Sequence, residues 1–569
     1  MTTQNRLITY TIAALLCWGC QEDNQPPQNF PVISNVTITE ITDSTALCTI
    51  TVNTSEAIFY AGVEYGTDPS QLTVSSSTND ISGSTIALLI KNLADDRVYY
   101  YKVYVRDKIG GMFIYSEIGE FKTQTSSYGS TFSNGITPAR SFKDGDGTQN
   151  NPYLIANAQQ LKKLVEDVNN GNYYYTNTYF KLTTDIEVTA DEWIPIGNNH
   201  NNSAIFSCNF DGNGHTISGT LKSDKYTEFG FFGYLHNEAN ISNLTIAATV
   251  KNEGNFASSS SDGYTSTHTG GIAGSAWSSS VLISHCHITG TVAGGIANES
   301  YTGGVLGYGR ATIQYCDVSQ TITGGNAVDR LITTDDGWTN IEDGVSYTAG
   351  INGRNFGEIT DCIIFASAKV IGGECRSPVT GGITAWNDFY YYSGNNFIPA
   401  KINNCTNHAT VTGGSNTEVW SFTGGIVGIN IGDIMNCTVS TSGMVIGNGS
   451  GTDAGGIAGR NSWWWTGEIY YSGKITNCTN NSAVSGKNNV GGLVGNNSGE
   501  IHTCLNTGNV FVNTGNIGGL AGINSHNELT HIYSCCTNRG TVNGLAANAN
   551  NQIGSGQPIE PCPDGHTKR

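Results

Sequence analysis

Gly491-Gly492-Leu493-Val494-Gly495, followed by Glu500-Ile501-His502-Thr503-Cys504, is one copy of a couplet that returns through the C-terminal two thirds of the chain. The glycine half recurs at Gly270, Gly303, Gly424, Gly455 and Gly518, with degenerate copies at Gly350 and Gly381 and a phenylalanine version at Gly230-Phe231-Phe232-Gly233. The Ile-x-x-Cys half ends at Cys286, Cys316, Cys362, Cys405, Cys437, Cys478, Cys504 and Cys535, and Leu244 takes the cysteine's place in the first copy. A fixed period of this kind is the mark of a solenoid, in which each unit buries its apolar face only by stacking on its neighbours.

Composition agrees. Glycine is abundant (72) and proline scarce (12), only 13% of residues are charged, and aromatic residues make up 10% of the 569. That balance suits many short strands joined by tight turns; it excludes collagen and argues against a disordered chain. The formal charge of −19 repels phosphate backbones, so nucleic acid is not an expected partner.

The repeat resembles the GLUG-motif family, named for its glycine-leucine-glycine element, from about residue 141 to 545. The resemblance implies a right-handed parallel β-helix of three short strands per turn. The residues ask for the same thing: one or two inward apolar positions per strand, with Gly or Asn where the chain turns at φ > 0. Before the array, Asn157 is placed to cap a helix reaching Asn169, with Gln160 at the capping-box position and Leu161, Leu164, Val165 and Val168 on one face. Such a helix would cover the open first rung. The Asp-Gly pairs at Asp144–Gly147 and Asp211-Gly212 read as tight turns, with calcium the alternative.

Residues 31–125 alternate as antiparallel strands do, with Ala46, Cys48, Ile50 and Val52 on one face. Leu93 followed by Tyr99, Tyr101 and Val103, together with Glu64-Tyr65-Gly66, resembles a fibronectin type III β-sandwich, in which a corner tyrosine bonds the preceding turn. The expected fold class is therefore all-β: a fibronectin-like sandwich, then a right-handed parallel β-helix with one N-terminal capping helix. The expected boundaries are a signal peptide (1–19), a lipidated linker (20–30), the sandwich (31–125), a linker (126–140), cap and first rungs (141–228), GLUG repeats (229–545) and a polar, disordered tail (546–569). The chain is expected to be monomeric.

The N-terminus resembles a lipoprotein signal. Ile8–Leu16 is apolar but too short to span a bilayer, and it runs into Cys17-Trp18-Gly19-Cys20, so Cys20 is the expected lipidated residue and outer-membrane lipid the anchor. An ordinary secretory signal is the alternative. Gln21-Glu22-Asp23-Asn24 resembles the acidic export tag of Bacteroidota surface lipoproteins, which implies the cell surface over the periplasm. In that oxidising setting the cysteine column still reads mainly as buried free thiols, since stacked positions hold sulfurs side by side; rung-to-rung disulfides remain open.

Function has to be sought where the repeat is interrupted. From the second glycine to the cysteine the interval is 12 in regular copies (425 to 437, 492 to 504) but 23 from 382 to 405 and 22 from 456 to 478. The first insertion carries Trp386, Phe389, Tyr390, Tyr391, Tyr392 and Phe397; the second carries Trp463, Trp464, Trp465, Tyr470 and Tyr471. A third, shorter one holds Trp277. Inserted at one corner of a coil, these rings are expected to line up as a strip for sugar faces or a protein surface. The alternative is that they fold back on the coil.

A further interruption from Gly324 to Tyr347 holds Asp329, Asp335, Asp336, Glu342 and Asp343 around Trp338. Asp335 and Asp336 are the candidates for acid and base, or for Ca2+, with Arg330 the cation close in sequence. A solvated acidic loop is the plainer account. The GLUG motif also occurs in immunoglobulin-A-cleaving metallopeptidases, but HExxH, GxSxG and P-loop patterns are absent here, and His285 and His287 alternate outward around Cys286. No cofactor is expected. The function expected is a surface adhesin binding a glycan or a host or bacterial surface protein; a polysaccharide lyase or glycoside hydrolase on the same scaffold is the alternative.

Overall fold

The computed structural model describes residues 31–560 except 43–44, 54–57, 73, 79–80, 82, 92, 94–96, 108–112, 125–130, 172–176, 199–203, 259–262, 264, 334–338, 393–395, 416–419, 466–469, 513, 526–530 and 534. Cys20 and the whole signal region therefore lie outside the described residues, as do Asp335, Asp336 and Trp338. The chain divides into two compact units, the first of residues up to Lys91 with Asp96–Gln124 and the second of Asn92–Asp95 with the residues from Thr125 onward.

The first unit is a pair of antiparallel sheets. Ile33–Thr39, Ala46–Val52 and Thr85–Ile90 make one; Val74–Thr78, Ile58–Gly66, Val98–Asp107, Phe113–Tyr115 and Gly119–Lys122 make the other. Strict alternation buries Ala46, Cys48, Ile50 and Val52 from the first sheet and Val63, Val103 and Val105 from the second. The hydroxyl of Tyr65 donates to the carbonyl of Lys91 at 3.2 Å, tying the middle strand to the turn, while Tyr99 stacks on Phe121 at 5.8 Å.

The second unit is a parallel β-helix. Each coil has a strand that enters the glycine pair, a strand that leaves it, the Ile-x-x strand, and one or two short strands after the cysteine. Strands leaving the glycines and the Ile-x-x strands form a 20-stranded sheet; strands entering the glycines form one of nine. Register is kept from rung to rung: Ile359, Ile402, Ile434, Ile475, Ile501 and Ile532 are successive partners. All are fully buried, each contributing on the order of 2–3 kcal/mol of apolar burial. Right-handed return is the sense that parallel crossovers adopt almost without exception.

The motif glycines serve close approach. None of Gly270, Gly303, Gly424, Gly455, Gly491 or Gly518 has positive φ. A Cβ on Gly491 would overlap the carbonyl oxygen of Val494 across the bend, and one on Gly492 would overlap the Gly519 carbonyl of the next rung. The left-handed position is instead the residue before each cysteine: Asn243 (before Leu244), His285, Tyr315, Asp361, Asn404, Asn436, Asn477 and Thr503, with φ between 50° and 59°. Of the Gly or Asn expected where the chain turns at φ > 0, Asn takes four of these eight positions, as its short amide permits, and the motif glycines take none.

The cysteine column is present as free, buried thiols. Each Sγ lies against the carbonyl two residues before it and an isoleucine carbonyl of the preceding rung, as in Cys405 with Asn403 (3.4 Å) and Ile359 (3.7 Å). Burial pushes the thiols of Cys286, Cys362, Cys437 and Cys504 well up. Cys536, not Cys535, continues the ladder: its Sγ accepts from the Cys504 amide at 3.4 Å, and Thr537 pairs with Leu505. The mechanism is a longer Ile532-to-cysteine interval in this rung, which moves the inward site by one residue. Because a thiol must ionise and meet reagent to react, the ladder cysteines are expected to resist iodoacetamide in the native protein and to be labelled fully in denaturant. Peptide mapping reads this directly, and native labelling or disulfide-linked ladder peptides would contradict it.

Asparagine columns run beside the apolar core. Asn355, Asn387, Asn430, Asn461, Asn497 and Asn524 form one, each Nδ2 donating to the Oδ1 of the next at 2.8–3.0 Å and the last to the Gln557 carbonyl. Asn480, Asn506 and Asn538 form another. Buried amides satisfied in this way specify rung alignment without leaving an orphaned polar group.

The N-terminal cap is helix α1, Ala158–Asn169. Asn157 Oδ1 accepts from the Gln160 amide at 2.9 Å, Gln160 Oε1 accepts from the Ala156 amide at 2.7 Å, and Leu161, Leu164, Val165 and Val168 are buried. Two boundaries differ from expectation. Thr131–Phe132, placed in a linker, pairs in parallel with Glu187–Val188. The tail is not disordered throughout, because Ile553–Gly556 pairs with Ala521–Asn524 and completes the last rung.

Candidate functional site

The long insertions are two β-hairpins raised from the same corner of the coil. In a short rung, Val427–Asn430 reaches Asp433–Met435 through Ile431 and Gly432. In the first long rung, Thr384–Asn387 is followed by Asp388, the hairpin Phe389–Tyr392 with Asn396–Pro399, and Ala400 before Lys401–Asn403 resumes. The Ala400 amide donates to the Asp388 carbonyl at 2.8 Å and closes the hairpin's neck. The second repeats this design: Trp463–Trp465 pairs with Tyr470–Ser472, and Gly473 N donates to Ser462 O at 2.7 Å. The coil passes below each hairpin undisturbed.

The two hairpins are two rungs apart, yet their rings meet over the short rung between them. Phe389 lies 6.1 Å from Trp464 and stacks on Tyr471 at 6.3 Å, and Phe397 contacts Tyr471 at 5.0 Å and Tyr391 at 5.0 Å. Strand alternation puts Trp464 and its cross-strand partner Tyr471 on the side facing the first hairpin, and Trp463 and Trp465 on the other. Tyr391 (55%), Trp463 (38%), Trp464 (49%) and Trp465 (52%) remain well exposed. Tyr392 and Tyr470 occupy hairpin strands, but their side chains lie outside the described residues. Tyr390 lies under the guanidinium of Arg310, which is 4.0 Å from the ring centre.

Trp386 is elsewhere. It belongs to the strand leaving the glycines and not to the insertion, so it stacks in register on the coil's outer face. There it is half-buried beside Tyr347 (5.8 Å) and under Arg354 (4.2 Å). Trp277, from the shorter insertion, packs on Tyr308 at 5.0 Å. Sequence reasoning did not find Arg354, which joins these groups: its Nη2 and Nε reach Asp388 Oδ2 at 2.6 and 3.1 Å, and its Nη1 donates to Tyr301 Oη at 3.4 Å. Tyr301 stacks on Tyr347 at 4.6 Å, and its hydroxyl donates a hydrogen bond to Glu299 Oε2. Burial raises the Asp388 carboxyl, with Arg354 opposing that rise. Asp388 Oδ1 also accepts from the Phe389 amide at 2.9 Å, so a buried ion pair fixes the base of the first hairpin.

The acidic interruption is an antiparallel hairpin, Arg330–Thr333 with Thr339–Glu342. Its described carboxylates are already matched: Glu342 pairs with Arg330 at 2.8 Å, and Asp343 and Asp329 pair with Arg376 at 3.1 and 3.7 Å. Arg376 arrives from the following strand-to-strand connection and was not visible as a neighbour in sequence. Among the described residues no group of three His, Cys, Asp or Glu side chains is placed to hold a metal. His287 faces outward, its Nδ1 2.6 Å from Asp317 Oδ2.

No protein-family profile matches the chain. A stretch of 112 residues is 32% identical to a protein of Evansella cellulosilytica described as a "Putative Gly-rich membrane protein"; it covers 18% of this chain and spans only 12% of that protein's length. Among described residues no helix is long and apolar enough to cross a membrane. Solved structures with some likeness include pectate lyase PelI from Erwinia chrysanthemi in complex with tetragalacturonic acid, 10% identical with a TM-score of 0.12, covering 73% of this chain and 83% of that one. Another is a family 28 exopolygalacturonase of Yersinia enterocolitica, 8% identical with a TM-score of 0.17, covering 90% and 99%. At those scores the fold rests on the strand register described above.

Proposed function

We propose that this chain is a lipid-anchored surface protein of the outer membrane, in which a GLUG-type β-helix carried with a fibronectin type III-like sandwich displays an aromatic strip that binds glycans. The observation that supports it best is the meeting of the two hairpins, ring to ring, across a rung that has no hairpin of its own. Coil residues do not need those rings for their core, which is complete below the necks. Flat, half-exposed aromatic groups raised together from a rigid scaffold match the apolar faces of sugar rings, and exposed apolar patches of this kind are seldom idle.

The test uses the soluble chain from residue 21 on a glycan array. Trp464→Ala and Tyr391→Ala are each expected to weaken retention about tenfold or more, as loss of an aromatic anchor does. Retention unchanged in both variants would remove the strip as the binding site. Catalysis on the same scaffold is the second reading, and Asp335 and Asp336 would carry it. It calls for product released from a polysaccharide, abolished by Asp335→Asn with Asp336→Asn.

A further inference from the structure

We infer that the strip takes an anionic glycan chain, laid along the coil axis, whose acidic group is received by Arg310. This rests on the glycan-binding reading above and goes further by naming the ligand's charge, direction and length.

Direction and length follow from the rung repeat. Trp277 belongs to the rung of Gly270, Arg310 to that of Gly303, the first hairpin to that of Gly381 and the second to that of Gly455. From Trp277 to Trp464 is five rung steps, roughly 24 Å at about 4.8 Å each. Along that line come Trp277 with Tyr308, then Arg310 over Tyr390, then Phe389 and Phe397 with Tyr391, then Trp464 and Tyr471. A single sugar could touch only a part of this line; an extended chain parallel to the axis can touch all of it.

Charge follows from what is left over. Beside the strip, the register column Glu358, Lys401, Asp433, Lys474, Glu500 alternates in sign, so each lysine stands between two carboxylates. Arg354 is engaged by Asp388, and Arg330 and Arg376 by the acidic hairpin. Arg310 makes neither a hydrogen bond nor an ion pair among the described residues; its guanidinium carbon lies over Tyr390, 4.0 Å from the ring centre. Arg460 is likewise without an ion pair among the described residues, but it lies over Phe422 of the coil and not over a hairpin ring. The ring contact holds the guanidinium in place without using its N–H donors, which leaves that fork for a carboxylate or sulfate of a ligand. Screening at physiological salt removes most of the repulsion from the net charge of −19 beyond about 8 Å, so the groups in contact with the ligand decide.

The experiment compares, by calorimetry on the soluble chain from residue 21, three oligosaccharide series of matched length: a polyuronate, a sulfated glycan and a neutral glucan. One or both anionic series should bind at least about tenfold tighter than the neutral one, the worth of one charge-assisted contact, and which of them does so separates carboxylate from sulfate. Arg310→Gln should erase that preference, and Arg310→Lys should restore part of it. Affinity should rise with oligomer length until the strip is spanned. Equal binding of charged and neutral series, or a preference that survives Arg310→Gln in a variant with unchanged melting, would overturn the inference while leaving the glycan-binding reading intact. Binding of none of the three would overturn both.

Discussion

Gly491→Ala is expected to unfold the C-terminal rungs while leaving those before it folded. The added methyl has nowhere to go: it would overlap the Val494 carbonyl oxygen, and the Val494 carbonyl carbon and Gly522 amide nitrogen stand 2.8 Å from it. All three are backbone, so relief requires opening the bend, and with it the pairing of Asn489–Gly491 with Asn516–Gly518 and of Val494–Asn497 with Ala521–Asn524. Overpacking against side chains typically costs about 1–3 kcal/mol; against fixed backbone the upper end or beyond is expected. Because a solenoid's stability is a sum of units and nearest-neighbour interfaces, damage should stay local. Hydrogen exchange should show lost protection after about residue 480 and native protection near Ile288 and Ile313. Gly135→Ala, where a Cβ meets nothing within 4 Å, is the control and should lie within about 0.5 kcal/mol of the parent. Uniform exchange throughout the Gly491→Ala coil, or none lost, would contradict this account.

Arg354→Met is expected to be the costliest change near the site. It leaves the Asp388 carboxylate, whose side chain is only 6% exposed, without its cation. Breaking a buried pair from one side costs about 3–5 kcal/mol, whereas replacing both partners by apolar groups is often nearly neutral. Arg354→Met should therefore destabilise strongly, and Arg354→Met with Asp388→Leu should recover much of the loss, a non-additivity that a double-mutant cycle measures. The pH dependence has a definite sign. Burial already raises the Asp388 carboxyl, and removing Arg354 raises it further. A carboxyl higher in the folded than in the unfolded state adds stability below its unfolded value, near 4, and that contribution disappears as pH climbs through the folded value. The single variant should thus be relatively rescued at acid pH, and a thermal melt series that shows the opposite slope would refute the assignment. Since Asp388 also holds the Phe389 amide, the same variant should loosen the first hairpin and weaken binding at Tyr391, a loss that local anchoring explains and direct ligand contact does not.

Much of this was legible in the sequence, and the failures have identifiable causes. Repeat period, apolar Ile-x-x positions and the common corner of insertion followed from spacing alone, because a stacked coil forces equivalent residues into register. Trp386 falls inside the long glycine-to-cysteine interval, yet alternation from Gly381 places it on the strand, opposite Arg354 and Ile429. A rigid Ile-x-x-Cys spacing points to Cys535. A better signal was available: Asn407, Asn480 and Asn506 each stand two residues after their cysteine, and Asn538 does so only for Cys536. The larger asparagine column was equally readable, six residues after the first glycine at 387, 430, 461, 497 and 524. Arg354 and Arg376 were beyond reach, since nothing local marks which distant charge a fold will bring to a buried carboxylate.

The short rung between the hairpins has a wider meaning. It holds Phe389 and Tyr471 at stacking distance because the coil advances by a fixed step, so the coil behaves as a ruler with one graduation per repeat. Adding one plain repeat between Gly424 and Gly455 would part the hairpins by about 4.8 Å and separate those rings without altering a single residue of either. Removing one would crowd them. Copy number would thus set the spacing between the two hairpins in whole rung steps.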